Sequence, residues 1–583
     1  MKLIGRALAA SAAVLMLGAA GCGSDSPSGP ATVTPVLGLA ATAKSTTTVD
    51  LSFNSSAGDA SYDIERAEGA AGAFAAVGSV PAPPSAGPMT YSDTGLKANT
   101  AYRYRVITNR GGQRSIASGE ATATTKDFGF AAATISTDLT ASRTFYADTA
   151  YTLEGFIHVA NGAVLTIQPG TKIYGDYNTL GSALMIMKGA KIQAVGTASA
   201  PIVFTSSRAA GQRQPGDWGG LLLVGNAPNN RSGVVNVEGT GTDGNTVVGG
   251  KNYTVQYNGG NVATDNSGTL QYVRVEFAGF APLQDQEFNA FTFCAIGSGT
   301  RASYLESLIP LDDAYEFFGG GFDIDHLIAF ETADDTFDMS EGWSGRMQYL
   351  IGINTVQVTP RTGAGFYSVD IEGIENDGCN GTGCDLGHNS VPFTIPLVAN
   401  FTLIGCGQSS CVGASGGHGM MLRRGTGGYY VNGVVARWPT DGISLRDTAT
   451  FVRAGSTLTP SATADLQLKN IFFAEVNGKL FQTPAPGAQF QLDSVANNLK
   501  LSTVTAASIF TAIPAVGTAP ADISAFDFTP AAGSAIATGG LNAFTGAMAT
   551  KAGTYVTATA YQGAVAPGGG NKWWAGWTYY ARN

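Results

Sequence analysis

The sequence predicts an all-β protein in which a β-sandwich precedes a large β-solenoid. Its 583 residues are too many for one ordinary core. The 78 glycines and only 13% charged residues are typical of turn-rich β structure, not of coiled coils or charged disordered chains. Stretches between residues 49 and 106 alternate apolar and polar side chains with the period of half-buried strands. Residues 312–341 partly repeat after 22 residues, a period typical of stacked solenoid laps.

The first 22 residues have the pattern of an export signal. Lys2 and Arg6 give a positive start, an apolar run follows, and small residues lead into Cys22. The run is too short and wrongly flanked for a membrane-spanning helix. Residues 1–22 are therefore predicted to be a signal peptide, and the Ser/Gly/Pro-rich residues 23–30 a tether.

The residues before Cys22 resemble a bacterial lipobox. This resemblance implies a lipid on Cys22 and anchoring to a membrane. Gly23 rather than Asp follows it, which in such lipoproteins favours the outer membrane, on the periplasmic or the cell-surface side. Plain secretion with an incidental cysteine is the alternative.

Residues 31–126 are predicted to be the β-sandwich. The string TYSDTGLKANTAYRYRV at 90–106 resembles the fibronectin type III family, with Tyr102 in its tyrosine-corner region. The segment departs from that family at Phe53, where Trp is usual. The resemblance implies a spacer or binding module, and we expect a spacer because this segment has no catalytic triad or metal cluster.

Residues 127–583 show a different pattern of four- or five-residue apolar runs with very short corners, which suits a coil that turns three times per lap. The strings LTIQPGTKI, ALMIMKGAKIQAVGTASAPIVFTS and PGDWGGL resemble the opening laps of right-handed parallel β-helix proteins of the pectin-lyase-like type. They resemble in particular a mostly uncharacterised group of exported bacterial proteins. Leu305, Leu327 and Tyr349, 22 residues apart, are predicted to be stacked on successive laps.

The C-terminal part of the chain is predicted to close the solenoid. Its last residues resemble the terminal segment of the same exported group. A solenoid needs its open end covered, and Trp573, Trp574 and Trp577 could do so. The alternative is an exposed aromatic platform for carbohydrate.

Two cysteine pairs of equal spacing, Cys379 with Cys384 and Cys406 with Cys411, predict disulfides in an exported protein. Each pair could close its own loop, or the four could pair crosswise. A zinc site is the rival, although the spacing is wider than in usual zinc knuckles. The surrounding segment, 371–418, is predicted to be an elaborated loop region fixed by these disulfides. Cys294 lies in an apolar run and is predicted to be a buried small hydrophobe.

The acidic stretch from 312 to 341 is the candidate site. If 22 residues make one lap, equivalent acids lie about 4.8 Å apart, where carboxylates repel unless a cation offsets them. Oxygen-rich clusters of this kind suit Ca²⁺. The predicted ligands are Asp312, Asp313, Glu316, Asp334, Asp335, Asp338 and Glu341. A solvated acidic ladder without an ion and general acid–base catalysis are the alternatives.

The predicted function is that of an envelope lipoprotein that binds a polysaccharide or another cell-surface ligand together with Ca²⁺. Trp343 and Arg346 follow the acidic stretch and are the predicted ligand contacts, with packing between laps as the alternative role of Trp343. A polysaccharide lyase or glycoside hydrolase, and a structural adhesin or scaffold, are the alternatives, so enzymatic activity stays open with a binding role favoured. The net charge of −10 and the lack of a basic patch argue against nucleic-acid binding.

Overall fold

A computed structural model describes residues 33–44, 48–97, 100–125, 131–240, 247–248, 251–252, 254–283, 286–455, 464–482 and 491–582. The chain divides into two compact units, Met1–Gly129 and Phe130–Asn583.

The N-terminal unit is a sandwich of two antiparallel sheets. Strands β1, β2 and β5 form one sheet, and β4, β3 and β6 form the other, with β7 and β8 both paired to β6. Inward residues such as Leu51 and Ile64 fill the core, and the Tyr102 hydroxyl accepts a hydrogen bond from the Lys97 N–H at 3.0 Å. The strands are β1 (Ala40–Ala43), β2 (Thr48–Asn54), β3 (Ser61–Glu68), β4 (Ala75–Pro81), β5 (Pro88–Thr94), β6 (Ala101–Arg110), β7 (Gln113–Arg114) and β8 (Ala121–Thr124).

The second unit is a parallel β-helix, as predicted. A nine-stranded parallel sheet forms one face. Its strands are β12 (Phe156–Val159), β15 (Ala183–Ile186), β18 (Gly220–Val224), β26 (Phe291–Ile296), β28 (Tyr315–Gly320), β30 (Phe337–Ser340), β32 (Ile374–Asp377), β34 (Met420–Arg423) and β37 (Ser444–Leu445).

A 17-stranded sheet bends around the other two faces. Its strands are β9 (Ala131–Ile135), β10 (Arg143–Phe145), β11 (Thr149–Leu153), β13 (Val164–Ile167), β14 (Lys172–Gly175), β16 (Lys191–Val195), β17 (Ile202–Ser206), β23 (Gly268–Glu276), β27 (Arg301–Leu308), β29 (Asp323–Phe330), β31 (Arg346–Ile353), β33 (Leu397–Ile404), β35 (Gly428–Val431), β36 (Val434–Ala436), β38 (Leu466–Lys469), β39 (Ile471–Ala474) and β40 (Leu499–Ser502).

Short antiparallel pairs and helical turns decorate the coil. The pairs are β19 (Val235–Asn236) with β22 (Gln256–Tyr257), β20 (Val247–Val248) with β21 (Lys251–Asn252), β24 (Phe280–Leu283) with β25 (Gln286–Phe288), and β41 (Phe510–Ala512) with β42 (Asp527–Pro530). The α-helices are α1 (Thr448–Val452), α2 (Ala506–Ile509) and α3 (Gly546–Ala552), and the 3₁₀ turns are Gly387–Asn389, Ser409–Cys411, Ile523–Ala525 and Ala535–Ala537. Among the described residues, no helix has the length and apolar character needed to span a membrane.

The three predicted turns per lap are visible in the first laps, where β12, β13 and β14 stack in register on β15, β16 and β17. In later laps two of the strands merge into one that bends at a residue with positive φ. Tyr304 (φ 54°) bends β27, and Asn400 (φ 54°) bends β33. Asparagine tolerates this conformation better than most residues. Where tyrosine or histidine occupies the bend, the rings stack, with 4.3 Å between the centroids of Tyr304 and His326.

The 22-residue lap is confirmed where it was predicted, and it fails one lap later. Glu316 pairs with Asp338, and Leu305 pairs with Leu327. Leu327 then pairs with Leu350 rather than with Tyr349. This lap is one residue longer, so Tyr349 is itself the bend residue, with φ at 65°.

The C-terminal segment covers a flank of the coil, so the prediction that its tryptophans close the open end is wrong. Trp573, Trp574 and Trp577 are buried in a cluster with outward-facing strand residues of several laps, among them Leu308 and Ile328. These outward positions are apolar and would otherwise be exposed to water. The burial of the tryptophans also excludes the alternative of an exposed carbohydrate platform.

Candidate functional site

Three consecutive laps present acids at the same two positions of the nine-stranded sheet. A four-residue pattern of acid, small residue, apolar residue and acid leads into β28, β30 and β32, as DAYE at 313–316, DTFD at 335–338 and EGIE at 372–375. The apolar residue lies in the core, where the rings of Tyr315 and Phe337 stack at 5.4 Å between centroids. Since side chains alternate along a strand, the acid that follows points outward.

In the first two patterns, the first acid is fixed by the backbone of the next lap. The Asp335 N–H donates to Asp313 Oδ1 at 2.8 Å, and the Glu372 N–H donates to Asp335 Oδ1 at 3.0 Å. One lap earlier, Asn289 Oδ1 accepts from the Asp313 N–H at 3.1 Å in the same way. These bonds fix one oxygen of each aspartate and leave the other for a ligand.

The acids line a cavity of about 570 Å³. Thirteen carboxylic acids and four arginines contribute to its wall. The acids are Glu238, Glu287, Asp312, Asp313, Glu316, Asp334, Asp335, Asp338, Glu341, Asp370, Glu372, Glu375 and Asp377, and the arginines are Arg231, Arg423, Arg424 and Arg446. The cavity therefore carries a large excess of potential negative charge.

Burial raises the pKa of these carboxyls. It is the largest cause for each of the acids at the centre of the cavity, and repulsion by neighbouring carboxylates adds to it. The pKa values stand well above their usual range for Asp312, Asp313, Glu316, Asp334, Asp335, Asp338 and Glu372. For Glu375, burial and the charge of Asp377 raise the pKa to about 7 against the attraction of Arg423. The cluster therefore resists full ionisation unless cations enter.

The carboxylate oxygens lie close enough together to share cations. They form four overlapping triads, in each of which the potential ligand atoms lie within 4.8 Å of one another. The triads are Asp312 with Asp313 and Asp334, Asp313 with Glu316 and Asp338, Asp334 with Asp335 and Glu372, and Asp335 with Asp338 and Glu375. In addition, Glu372 Oε1 and Asp338 Oδ1 are buried atoms without a hydrogen-bond partner among the described residues. Clustered oxygen donors with unused lone pairs fit a hard cation.

Glu341 stands apart from these triads. Its carboxylate pairs with Arg231 and accepts a hydrogen bond from the Tyr257 hydroxyl. Six of the seven predicted metal ligands therefore lie in the triads, and Glu341 instead fixes Arg231 at the edge of the cavity. Arg231 in turn donates to the Thr382 carbonyl, which connects two loops of the rim.

The two predicted ligand contacts are wrong. Trp343 is fully buried and packs in the core, 4.8 Å from Phe317 between ring centroids, so no ligand reaches its face. Arg346 forms a two-point ion pair with Asp323, at 2.7 Å for each contact, on the 17-stranded sheet. It does not line the acidic cavity.

Glu372 and Glu375 are members of the triads that the sequence analysis missed. The prediction placed them in a loop region, whereas Glu375 lies in β32 and Glu372 lies two residues before it, on the third acidic lap. An insertion lengthens the preceding lap, so that Asp338 pairs with Glu375 across 37 residues and the 22-residue period is lost. The repeated acid pattern, EGIE after DTFD, is the signal that could have found them.

Both predicted disulfides form locally, Cys379 with Cys384 and Cys406 with Cys411. The first adjoins Gly378 and Asn380, which line the cavity. Cys294 is a buried free thiol. Cys22, the signal peptide and the tether lie outside the described residues.

Parts of the chain are similar to solved structures. A Fn3-like protein from Clostridium thermocellum is 28% identical over 15% of this chain and 88% of its own, with a TM-score of 0.14. Pectate lyase Pel3 from Pectobacterium carotovorum is 9% identical over 63% of this chain and 88% of its own, with a TM-score of 0.12. No curated protein matches the chain in sequence.

The family comparison covers most of the solenoid. The model of the pectate-lyase like beta helix domain matches residues 137–516, more than half of the chain, and this range includes every acid of the four triads. The protein therefore belongs to the family of pectate-lyase like β-helix domains.

Proposed function

We propose that the acidic cavity binds divalent cations, preferentially Ca²⁺, and through them a glycan of the cell surface or its surroundings. The observation that carries this proposal is the set of four overlapping carboxylate triads on three consecutive laps. A single acidic ladder would be ordinary, but these acids all line one cavity, and six of the eight are buried while Asp334 and Asp338 are half-buried.

The donor chemistry favours Ca²⁺ over other common cations. The triads offer carboxylate oxygens and no thiolate or imidazole, which argues against Zn²⁺. Ca²⁺ accepts six to eight oxygens in flexible geometries, whereas Mg²⁺ demands a near-ideal octahedron and keeps several waters. Carboxylates that belong to two triads, such as Asp335, could each bridge two ions.

A glycan ligand is supported by the family and by the charge of the cavity. The pectate-lyase like β-helix family indicates a polysaccharide-related role. A wall with thirteen acids and four arginines repels anions in the absence of cations. Bound Ca²⁺ would replace the negative charge of the acidic laps by a local positive charge. It would also offer open coordination positions to hydroxyl or carboxylate oxygens. Glycan binding should therefore depend on Ca²⁺.

Calorimetric titration of the chelator-treated protein with Ca²⁺ at neutral pH tests the ion site. The informative variant is Asp335→Asn, because Asp335 belongs to two triads. The amide oxygen can still accept the Glu372 N–H, just as Asn289 Oδ1, two laps earlier in the same column, accepts the Asp313 N–H. We expect this variant to bind Ca²⁺ at least about tenfold more weakly, a loss of ~1.4 kcal/mol.

The matched control is Glu154→Gln, which removes an exposed carboxylate of the same β-helix far from the triads in sequence. It should leave Ca²⁺ affinity unchanged. A glycan array read with and without chelator then tests the second half of the proposal, and cleavage of a glycan in the same assay would indicate an enzyme. Absence of Ca²⁺ binding, or equal affinity in Asp335→Asn, contradicts the ion site.

A further inference from the structure

Two exposed aromatic side chains lie beside the acidic cavity, on the insertion that lengthens the lap before β32. Phe366 and Tyr367 are 53% and 43% exposed, and neither ring belongs to a core cluster in the part of the chain that the structure describes. Leu283, which is 40% exposed, adds to this apolar surface. Single exposed apolar residues are common, whereas a group of them at the edge of a polar cavity indicates a surface for a ligand.

The backbone beneath the aromatic pair is fixed. The Ala281 N–H donates to the Ala364 carbonyl at 3.1 Å, and the Phe366 N–H donates to the Ala281 carbonyl at 3.3 Å. Ala364 is 1% exposed and packs in a small buried cluster with Ala281. Leu283 follows Ala281 by two residues and extends the surface from the neighbouring strand β24. A ligand that binds here therefore does not have to order the segment first.

The aromatic pair is connected directly to the proposed ion site. Tyr367 is followed by Ser368, which lines the cavity and forms a side-chain hydrogen bond with Asp334. Asp334 belongs to two of the four triads. One peptide unit, about 3.8 Å between Cα atoms, therefore separates Tyr367 from a residue that contacts a proposed ligand of the cations.

The charges on this side of the cavity are negative. Asp334 and Asp370 line the cavity where the chain enters β30 and β32, at the amino-terminal edge of the nine-stranded sheet. The arginines of the wall lie at the opposite edge. They are Arg231, which pairs with Glu341 after β30, and Arg423, Arg424 and Arg446 at the ends of β34 and β37. A sugar on the aromatic pair therefore meets carboxylate oxygens, which accept hydrogen bonds from hydroxyls and repel an anionic ring.

We infer that Phe366 and Tyr367 form a stacking subsite for a neutral pyranose of the glycan, next to the sugar that the cations hold. This inference rests on the proposed function and names the class of the adjoining sugar. The C–H face of a pyranose is apolar and packs on an aromatic ring, while the hydroxyls at its edge donate to nearby acceptors. Asp370 is such an acceptor, because the Ser415 N–H donates to Oδ1 at 3.1 Å and leaves Oδ2 for a hydroxyl.

Calorimetric titration of the Ca²⁺-loaded full chain with neutral β-linked hexasaccharides of glucose, mannose and galactose tests the subsite. We expect at least one of them to bind, and Phe366→Ala and Tyr367→Ala each to weaken that binding at least about tenfold. Tyr367→Phe keeps the ring and should bind like wild type. Because the substituted side chains are exposed, Ca²⁺ affinity and the thermal midpoint should not change. Tyr146→Ala, which removes a ring 51% exposed between β10 and β11, is the matched control.

The outcomes separate this inference from the ion site. If wild type binds Ca²⁺ but none of the neutral hexasaccharides, the inference is overturned and the ion site stands. Wild-type affinity for the hexasaccharide in both alanine variants also overturns it, as does a loss in Tyr146→Ala equal to theirs. If wild type does not bind Ca²⁺, the proposed function fails and the inference fails with it.

Discussion

Single carboxyl groups in the cavity are held between two opposing effects. A backbone N–H from the next lap favours the ionised form of Asp313 and Asp335, whereas burial and neighbouring acids favour the neutral form. Two carboxylates 4.8 Å apart repel by about 3 kcal/mol at an effective dielectric constant of ~20. Several such pairs on three laps exceed what a single hydrogen bond offsets. The residues therefore favour either shared protons or bound cations.

The stability of the metal-free protein should fall as the pH rises. Glu375 has a pKa of about 7 in the folded chain against a usual value of 4.5. Below pH 4.5 Glu375 is protonated in both the folded and the unfolded state, so it does not change the free energy of unfolding there. Between pH 4.5 and 7 the unfolded state ionises first, so folding stability is lost, on the order of 3 kcal/mol for this residue.

Urea unfolding of the β-helix in chelator at both ends of this window measures the effect. Saturating Ca²⁺ should remove the decline, because the cation stabilises the ionised form. Glu375→Gln is the matched variant and should show a smaller decline without Ca²⁺. The account is contradicted if chelator-treated wild type gains stability across the window and Glu375→Gln behaves identically.

At the scale of elements, much of the site could be predicted from the sequence because uninterrupted laps repeat their pattern. Six members of the triads followed from the return of Asp312, Asp313 and Glu316 after 22 residues. The third acidic lap could not be found from the period, because insertions change lap length without changing strand register. The acid pattern is kept after the insertion, because each acid still pairs in register with the corresponding acid of the preceding lap.

The prediction that the C-terminal tryptophans close the open end of the solenoid was wrong because they pack instead on a lateral surface of the coil. The sequence shows that Trp573 and Trp577 need burial, but it does not show which surface buries them. That surface is built by outward-facing strand residues contributed by several laps, such as Leu308 and Ile328, whose common face exists only after coiling. Trp343 illustrates the same difficulty, because its sequence neighbours in the acidic stretch face the cavity while it faces the core.

Removing one flank tryptophan should destabilise the β-helix. Trp577 is 1% exposed, and its ring packs edge-on against Tyr272 and Tyr304 at 5.5 and 6.1 Å between centroids. We expect Trp577→Ala to cost about 3–5 kcal/mol and Trp577→Phe clearly less. Denaturant unfolding measures both. The control Val495→Ala, at a position 89% exposed, should stay within about 0.5 kcal/mol of wild type. A wild-type midpoint for Trp577→Ala would show that the segment does not cover the flank in solution.

At the scale of the whole molecule, the chain combines a β-sandwich with a β-helix that carries the cavity. The two units have separate hydrophobic cores. We propose that a lipid on Cys22 anchors both units to the outer membrane, which would give the cavity access to periplasmic or extracellular glycans.

The anchor is tested by Cys22→Ser in a bacterial host. Wild type should incorporate labelled fatty acid and sediment with membranes. The variant, which lacks the thiol that carries the lipid, should do neither. Membrane sedimentation of the variant equal to that of wild type would refute lipid attachment at this residue.

Diffraction from crystals grown with Ca²⁺, and then with a lanthanide in its place, tests the ion site most directly. We predict anomalous peaks inside the cavity, with carboxylate oxygens of Asp313, Asp335 and Asp338 about 2.3–2.6 Å from the ions. A cavity without such peaks at saturating cation, with the acids hydrogen-bonded to one another through shared protons, would contradict the ion site and the glycan binding proposed from it.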